Sequence, residues 1–417
     1  MNERSVAVID LKAFYSYVEC VDRGLDPFTT PLVVCDINRG KNTIILSVTP
    51  FLKSKGIPSR LRFKELPQGK FKYIYATPRM ERYIQKSKEV VGAFLDFVSH
   101  EDIHIYSVDE AFIELTSYLN YYKLDAYSLT KKIIEHVNEK TDMFATGGVG
   151  SNMFLAKVAL DVYAKKSIDS IGTLFKEEIP TKLWPISPLI DIWGIGPQTE
   201  KKLNKLGIYK VEQLAKYDKS VLVNMFGIMG EQLYNHANGF DESDMREAYT
   251  PKDTSLSFGQ TLMRDYKYEE ALTVLRELND DLSEKLRSQH LLARVISVSI
   301  VYSSSSGGFH HQIKAIYPTN ITDDLFNYAK NIYINNCQKK CFIRQIHLTY
   351  SGLIDEYGDI QYNLFENEEE TKNKVNLDKT IDIIRNKYGK DSLMRLSALK
   401  EESTLKERHS FIGGHKR

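Results

Sequence analysis

The spacing of apolar residues predicts strands and helices in the first part of the chain. Val6 to Ile9 form an apolar run typical of a buried strand, and an amphipathic stretch follows at 13–22. The next apolar runs predict strands at PLVVC (31–35), TIILSV (43–48), 103–106 and 111–115. A helix is predicted over about 126–139.

Turn signals and polar stretches divide the rest of the chain. FATGGVGSN (144–152) is interpreted as a glycine-rich break before a helix over 152–164, and 170–245 as short helices. A polar linker at about 246–254 precedes an α+β unit. That unit is predicted to contain a helix at 268–288 and strands at 293–302, 310–317 and 343–350. Residues 371–417 are predicted to be helical.

Charge is distributed unevenly, although the 417-residue chain carries a formal net charge of only +1. Residues 39–88 contain thirteen Lys or Arg and two acidic residues, whereas 351–370 contain seven acidic residues and no basic ones. This asymmetry indicates a basic face for a polyanion and a separate acidic segment. The alternative is a basic surface that is merely solvated. The length predicts two to four domains.

Composition also bounds the cellular setting. The four cysteines, at 20, 35, 337 and 341, form neither a metal-type nor a disulfide-type pattern. The polar N-terminus enters a strand at once, so no signal peptide is expected, and no apolar run approaches the length of a membrane span. We therefore expect a reduced cytoplasmic protein with no membrane partner.

Acidic residues mark the chemistry. Asp10 ends the first strand, where a helix N-cap is the ordinary alternative. In IYSVDEAFIEL (105–115), two apolar strands meet at Asp109 and Glu110, and such adjacent carboxylates repel each other unless a cation joins them. If both elements share a sheet, three carboxylates converge. That set suits two Mg²⁺ ions in phosphoryl transfer, with the carbonyl of Leu11 as a further ligand.

Three motifs in order carry a family resemblance. The opening Asp-(x)₃-Phe-Tyr, the hairpin Ser-x-Asp-Glu-Ala-Phe and the later NMFLAKVALD (152–161) together resemble the Y-family translesion DNA polymerases, in their UmuC-like Gram-positive branch. The resemblance implies an α+β multidomain, right-hand fold. Its expected parts are a ferredoxin-like palm (1–13 and 78–168), small fingers (14–77), a helical thumb with a helix-hairpin-helix (169–245), a linker (246–254), an α+β little finger (255–360) and a tail (361–417).

The resemblance implies a template-directed, error-prone DNA polymerase of the DNA damage response. Asp10, Asp109 and Glu110 would be catalytic and, with Leu11, would bind two Mg²⁺ ions, for which Mn²⁺ substitutes. The implied partners are primer-template DNA, deoxynucleoside triphosphates and the sliding clamp, near the nucleoid. The need for an accessory subunit stays open. Short fingers and the lack of a proofreading segment predict low fidelity.

The same resemblance assigns the nucleotide site. Tyr15 would be the steric gate under the deoxyribose, with Phe14 packed behind it, and the alternative is two aromatics that only fill core. Ser47, Lys53 and Lys157 would contact the triphosphate. The chain departs from the family at Pro50, where many members have a tyrosine, so one phosphate contact is expected to be lost or replaced.

DNA contacts are expected in two further places. DIWGIGPQTEKKLNKLGI (191–208) is typical of a helix-hairpin-helix, whose Gly194 and Gly196 let the backbone approach a phosphate. Lys201 and Lys202 flank that turn. Ser151 and Asn152 open the helix that carries Lys157, and we expect them to touch DNA. In the little finger, the candidate phosphate contacts are Arg264, Arg294 and Lys314.

The tail contains a candidate clamp-binding peptide. In QYNLF, Gln361 would anchor by hydrogen bonds while Leu364 and Phe365 fill an apolar pocket. The alternative is a terminal edge strand. His409 and His415 near the end are interpreted as surface residues.

Two other functions are consistent with part of this pattern. A palm-fold nucleotide cyclase shares the two-metal logic but does not need a helix-hairpin-helix, a basic fingers segment or a clamp peptide. A non-catalytic DNA-damage binding protein does not need the complete set of Asp10, Asp109 and Glu110.

Overall fold

Two separately packed units, Met1–Ala248 and Tyr249–Arg417, make up the chain. The structure, a computed structural model, describes residues 4–247, 254–303, 307–358 and 368–417. The strands of the first unit are β1 (Val6–Leu11), β2 (Leu32–Val34), β3 (Ser47–Val48), β4 (Ile74–Ala76), β5 (Ile103–Ile105), β6 (Glu110–Glu114), β7 (Ala145–Gly150) and β8 (Ile171–Leu174). Its helices are α1 (Phe14–Val21), α2 (Pro50–Ser54), α3 (Met80–Phe94), α4 (Thr116–Tyr122), α5 (Ala126–Thr141), α6 (Met153–Val158), α7 (Pro197–Lys205), α8 (Val211–Ala215), α9 (Lys219–Phe226) and α10 (Ile228–Ala237).

A five-stranded sheet in the order β5-β6-β1-β7-β8 forms the centre of the first unit. Its middle strand, β1, pairs antiparallel with both β6 and β7, as the run of apolar residues in β1 predicts for a strand buried on both faces. Ile9 and Leu11 pack toward α3 and α5 on one face, and Val6 and Val8 pack toward α6 on the other. The sheet thereby fixes the end of β1 firmly in place.

The segment FATGGVGSN is a strand and not the break that its glycines suggested. Residues 145–150 form β7, which is buried along its whole length. A Cβ atom at Gly148 would lie 2.2 Å from the carbonyl oxygen of Ala156, and one at Gly150 would lie 2.5 Å from the amide nitrogen of Ala156. The glycines therefore let α6 lie directly on the sheet, and close packing rather than turning explains them.

A smaller sheet in the order β3-β2-β4 lies within 14–77. The predicted strand TIILSV is mostly irregular, since only Ser47 and Val48 pair with β2. Ile44 forms an isolated bridge with Arg62 instead. The amide of Ile45 donates to the carbonyl of Leu61 and that of Phe63 to the carbonyl of Thr43, so residues 43–45 pair with an irregular segment and not with a regular strand.

The second unit is a four-stranded antiparallel sheet with helices against one face. Its elements are β9 (Ser255–Tyr266), α11 (Tyr268–Ser288), β10 (Leu291–Tyr302), β11 (Gly308–Thr319), α12 (Thr322–Asn336), β12 (Ile343–Ser351), β13 (Ile354–Asp355), α13 (Glu368–Tyr388), α14 (Leu405–His409), β14 (Phe411–Ile412) and β15 (His415–Lys416). The sheet order is β11-β10-β12-β9, and β13 pairs with β10. The edge strand β9 was not predicted, because its exposed positions include glycine and aspartate, which are depleted in strands.

The C-terminal segment, residues 368–417, packs on α11 through charges. Only α13 and α14 are α-helical there, and the chain ends in the hairpin β14–β15 rather than in the predicted helix. The side of α11 turned to this segment carries a row of buried acidic residues: Glu277, Asp280, Asp281 and Glu284. Ion pairs to this row come from Arg385, Arg395 and Arg408. The segment is thus a layer of the second unit.

His409 belongs to this charged layer and is not the surface residue that the sequence suggested. Its Nε2 lies 3.2 Å from Asp281 and its Nδ1 lies 2.5 Å from Asp391. These hydrogen bonds raise the pKa of His409 against the opposing effect of burial. Among the described residues, no helix combines the length and apolar character that crossing a membrane requires.

Candidate active site

Strand pairing brings the three predicted carboxylates to one edge of the central sheet. Asp10 lies directly opposite Glu110 in the register of β1 and β6. The amide of Leu11 donates a 2.8 Å hydrogen bond to the carbonyl of Asp109, so the hairpin tip closes against the end of β1. Asp10, Asp109 and Glu110 thus share one sheet, as their predicted convergence requires.

Each carboxylate except Asp10 has a close polar neighbour. Asp109 accepts a 2.6 Å hydrogen bond from the hydroxyl of Ser107. The ammonium of Lys157 lies 2.8 Å from Oε1 of Glu110 and 3.2 Å from Asp161. That Oε1 atom is buried and accepts no hydrogen bond of good geometry, so the contact is an ion pair. Lys157 therefore lies in the acidic cluster, where its charge offsets part of the repulsion.

The concentration of negative charge changes the acidity of the site. Burial raises the pKa of Asp10 to about 7, and the charges of Asp109 and Glu110 add to the effect. Burial also raises the pKa of Glu110, against the charge of Lys157. Ionised carboxylates this close repel one another, and a nearby cation reduces that repulsion.

The donor chemistry of this cluster fits a hard divalent cation. Three carboxylates and the carbonyl of Leu11 are oxygen ligands of the type that Mg²⁺ takes. As the side chains stand, no group of three or more His, Cys, Asp or Glu residues within the described ranges is arranged to hold a metal ion. Asp109 and Glu110 instead contact Ser107 and Lys157. The residue types are therefore suitable for binding Mg²⁺, and the side chains of Asp109 and Glu110 would have to rotate toward Asp10 to bind it.

The turn between β1 and α1 positions the two aromatic residues of the opening motif. Ala13 adopts a left-handed backbone conformation with φ of 51°, which turns the chain sharply into α1. Phe14 is buried, and its ring centroid lies 5.5 Å from that of Tyr15. The half-buried Tyr15 ring also packs 4.9 Å from Tyr83. Tyr15 is thus supported from behind while part of its ring stays open.

The predicted triphosphate ligands lie in different environments. Lys53 is exposed, yet its ammonium is partly desolvated by neighbouring atoms. This desolvation lowers the pKa of Lys53, while the charge of Asp10 acts in the opposite direction. Ser47 is buried, and its hydroxyl lies 2.9 Å from that of Ser16 and 3.3 Å from the carbonyl of Ala13. This hydroxyl stabilises the start of α1, and its contact with the triphosphate stays a prediction. Pro50 begins α2.

Ser151 and Asn152 form internal hydrogen bonds, and their expected DNA contacts stay predictions. The side chain of Asn152 caps α6 by accepting from Leu155 at 2.8 Å and donates to the carbonyl of Gly239 at 2.8 Å. The hydroxyl of Ser151 accepts from the amide of Lys176 at 3.2 Å. Both side chains are buried, and they position the helix that carries Lys157.

The glycine turn at 194–196 is open to solvent. Gly194 has φ of 90°, a conformation that favours glycine, and Gly196 is the N-cap of α7 with Pro197 as its first residue. No atom lies within 4 Å of an added Cβ at either glycine. Lys201 and Lys202 are exposed on α7. The turn can therefore approach a ligand closely.

Three further residues that were not predicted from the sequence influence Asp10 or Tyr15. The positive charge of Arg60 acts on Tyr15, and that of Lys165 acts on Asp10. The hydroxyl of Thr146, opposite Asp10 in the sheet, donates to the Asp10 carbonyl at 3.3 Å. The surplus of basic residues at 39–88 could have indicated Arg60 as a site residue. Lys165 and Thr146 could not have been found in this way, because only the fold brings them close to Asp10.

The candidate contacts of the second unit have mixed outcomes. Arg264 is engaged by Glu270 at 2.8 Å, whereas Arg294 and Lys314 are exposed. The clamp peptide residues Gln361, Leu364 and Phe365 lie outside the described residues.

Family models match three stretches of the chain. The impB/mucB/samB family matches residues 9–161, and the C-terminal domain of that family matches residues 253–364. The IMS family HHH motif matches residues 176–208, as the helix-hairpin-helix prediction requires.

Relatives and a solved structure are similar over nearly the whole chain. UvrX of Bacillus subtilis (strain 168), named for UV-damage repair, is 33% identical over 99% of this chain and 98% of its own length. DNA polymerase IV 2 of the same strain is 28% identical over 100% of this chain and 99% of its own length. The structure titled "Y-family DNA polymerase chimera Dbh-Dpo4(243-245)-Dbh" superimposes with a TM-score of 0.67 at 20% identity, covering 84% of this chain and 99% of that one. The predicted α+β multidomain fold is confirmed.

Proposed function

Because the chain belongs to the impB/mucB/samB family and has the fold of a Y-family DNA polymerase, we propose that it is an error-prone, template-directed DNA polymerase of translesion synthesis. The observation that carries the proposal is the pairing of Asp10 opposite Glu110, with Asp109 closing the hairpin against Leu11. Three acidic residues at one sheet edge are what nucleotidyl transfer needs and what a DNA-binding scaffold does not. A nucleotide cyclase is not favoured, since the chain also matches the family's helix-hairpin-helix motif.

The residues of the site would have different roles in the reaction. Asp10, Asp109, Glu110 and the Leu11 carbonyl would hold Mg²⁺, or Mn²⁺ in its place. Two such ions, when bound, supply charge neutralisation for phosphoryl transfer. Lys53 and Lys157 would bind the triphosphate, and Tyr15 would lie under the deoxyribose. Selection of the incoming nucleotide then rests mainly on base pairing, which predicts low fidelity.

The proposed substrates are primer-template DNA and deoxynucleoside triphosphates. The open turn at Gly194 and Gly196, with Lys201 and Lys202 beside it, supports a phosphate contact on the duplex. The proposal extends to a sliding clamp bound by Gln361, Leu364 and Phe365. An accessory subunit and association with the nucleoid are compatible with it. The domain bounds given above stay predictions.

Primer extension tests the proposal directly. Asp109→Asn should lower nucleotide addition to a primed template in Mg²⁺ to less than about a tenth of wild type, because the ligand set is worth several kcal/mol of barrier lowering. Binding to the same DNA should stay nearly unchanged. Asp169→Asn is the matched control, since that carboxylate contacts Tyr127 and Lys131 at the surface. Equal activity of Asp109→Asn and wild type would reject the assignment.

A further inference from the structure

Four aromatic rings form a continuous row on the small sheet of the first unit. Phe63, Phe71, Tyr73 and Tyr75, called the aromatic ladder below, contact one another in sequence. The ring centroids of Phe71 and Tyr73 are 5.9 Å apart, those of Tyr73 and Tyr75 are 6.1 Å apart, and those of Tyr75 and Phe63 are 5.5 Å apart. Neighbouring rings thus contact each other along the whole row.

The ladder is only partly used by the core. Phe63, Phe71 and Tyr73 pack against the small core of Leu52 and Leu66 but remain half-buried. Tyr75 is 38% exposed. Of these rings only Tyr75 lies in β4; Phe71 and Tyr73 precede the strand and are joined to Tyr75 by their ring contacts. Since successive side chains of a strand point to opposite faces, Ile74 lies on the face of β4 opposite to Tyr75.

Positive charge surrounds the ladder without local acidic partners. Residues 37–78 contain nine Lys or Arg and a single acidic residue, Glu65, whose carboxylate accepts from the amide of Arg62. Lys64, Lys70 and Lys72 alternate with the ring positions and are exposed, and the described part of the chain gives none of them an ion pair. By contrast, Lys131 and Lys140 of the same unit each contact an aspartate. Exposed lysines beside partly open rings form a surface that attracts an anion from outside.

The ladder begins next to the active site. Arg60, three residues before Phe63, is the basic residue whose charge acts on Tyr15. A strand leaving the nucleotide site along Arg60 and Arg62 would therefore meet the ladder next. Aromatic rings between lysines bind single-stranded nucleic acid without sequence preference, because every base has a π-face to stack and every nucleotide has a phosphate.

We propose that the aromatic ladder binds unpaired bases of the template strand ahead of the nascent base pair. The identification of that strand as template rests on the proposed polymerase function. The stacking itself requires only a single strand of nucleic acid. Tyr75 is the ring most available to a base, and Lys64, Lys70 and Lys72 would contact the flanking phosphates.

Binding measurements without nucleotides test the ladder. Fluorescence anisotropy with the full chain would compare a blunt duplex with the same duplex carrying a 5′ template overhang of about ten nucleotides. Tyr75→Leu keeps an apolar side chain but removes the π-face, so the Kd for the overhang DNA should rise about tenfold while the Kd for blunt DNA stays unchanged. Ile74→Ala is the matched control, because Ile74 is equally exposed, at 38%, on the opposite face of β4.

Two further variants guard against misfolding and against unspecific charge effects. Tyr75→Trp keeps an aromatic ring, and its emission should be quenched by the overhang DNA and not by the blunt duplex. Lys72→Gln should lower the slope of log Kd against log salt for the overhang by about 0.7. An equal loss on both DNAs, a loss in Ile74→Ala, or no quenching in Tyr75→Trp would overturn the proposal. An inactive enzyme that still prefers the overhang would reject only the polymerase assignment.

Discussion

Tyr15 is the residue at which sugar selection can be tested. Its half-buried ring packs against Phe14 and Tyr83, and the charge of Asp109 in the carboxylate cluster acts on it. Tyr15→Ala should keep incorporation of deoxynucleotides but raise the relative kcat/KM for ribonucleotides roughly 10- to 100-fold, because one steric group in a pocket is worth about 1–3 kcal/mol. Tyr15→Phe, which keeps the ring, should discriminate like wild type. Unchanged rejection of ribonucleotides by Tyr15→Ala would make Tyr15 a packing residue.

His409 predicts a pH dependence of the second unit. Its hydrogen bonds to Asp281 and Asp391 raise its pKa in the folded state, while the adjacent Arg408 shares Asp281. A raised folded pKa contributes stability that is complete below the unfolded value of about 6.5 and is lost as pH rises through the folded value. The urea midpoint of His409→Gln should therefore fall below wild type at pH 5.5 to 6 and approach it at high pH. His310→Gln, on an exposed strand position, should show no such trend.

At single residues, the sequence was informative where the chemistry leaves few alternatives. The clustering of Asp10, Asp109 and Glu110 could be predicted, because adjacent carboxylates after apolar strands repel each other unless a cation joins them. The internal hydrogen bonds of Ser47, Ser151 and Asn152 could not be predicted, because a hydroxyl or amide serves an internal hydrogen bond as readily as a ligand. Their burial depends on the packing of α1 and α6.

At the scale of elements, β7 gives a prediction about packing. Gly148→Ala should lower the free energy of unfolding of the first unit by about 1–3 kcal/mol or more, since the new methyl group would meet the backbone of α6. Urea denaturation measures the change. Gly196→Ala is the matched control, because its Cβ would meet no atom within 4 Å and its φ of −89° suits alanine. A neutral Gly148→Ala would show that α6 can move away from the sheet.

The elements that the sequence predicted well are those with a long, regular pattern. Helix α11 matches its predicted range of 268–288, and β1, β6 and β10 fall within a few residues of theirs. β7 was missed because its glycines are needed for close packing against α6. That packing is a tertiary contact, which the local sequence pattern does not show. The strand at 43–48 was overestimated because residues 43–45 pair with the irregular segment 60–63, and a local apolar pattern does not record whether the partner is regular.

At the scale of the whole molecule, the proposed clamp-binding peptide leads to a prediction about the processivity of synthesis. Contacts to phosphate alone are weak at physiological salt, so a tether raises the local concentration of enzyme at the primer end. Leu364→Ala with Phe365→Ala should leave single-nucleotide addition on a bare template unchanged. On clamp-loaded templates it should remove the stimulation, since each anchor is worth about 2 kcal/mol.

The matched control for the clamp test is Leu396→Ala with Leu399→Ala. Both of these leucines are highly exposed in the C-terminal segment, at 84% and 71%. This control should keep the stimulation by the clamp. Equal stimulation of wild type and the Leu364/Phe365 variant would place any clamp contact elsewhere in the chain.

The charged layer over α11 also determines how the clamp peptide can be studied. Deleting everything after 358 would remove the peptide, but it would also leave four carboxylates of α11 without Arg385, Arg395 and Arg408. The deletion would also expose a face of α11 that the C-terminal segment covers. A change in activity of the shortened chain would therefore report on this layer as well as on the peptide. Point substitutions, and not truncation, separate recruitment from folding in this protein.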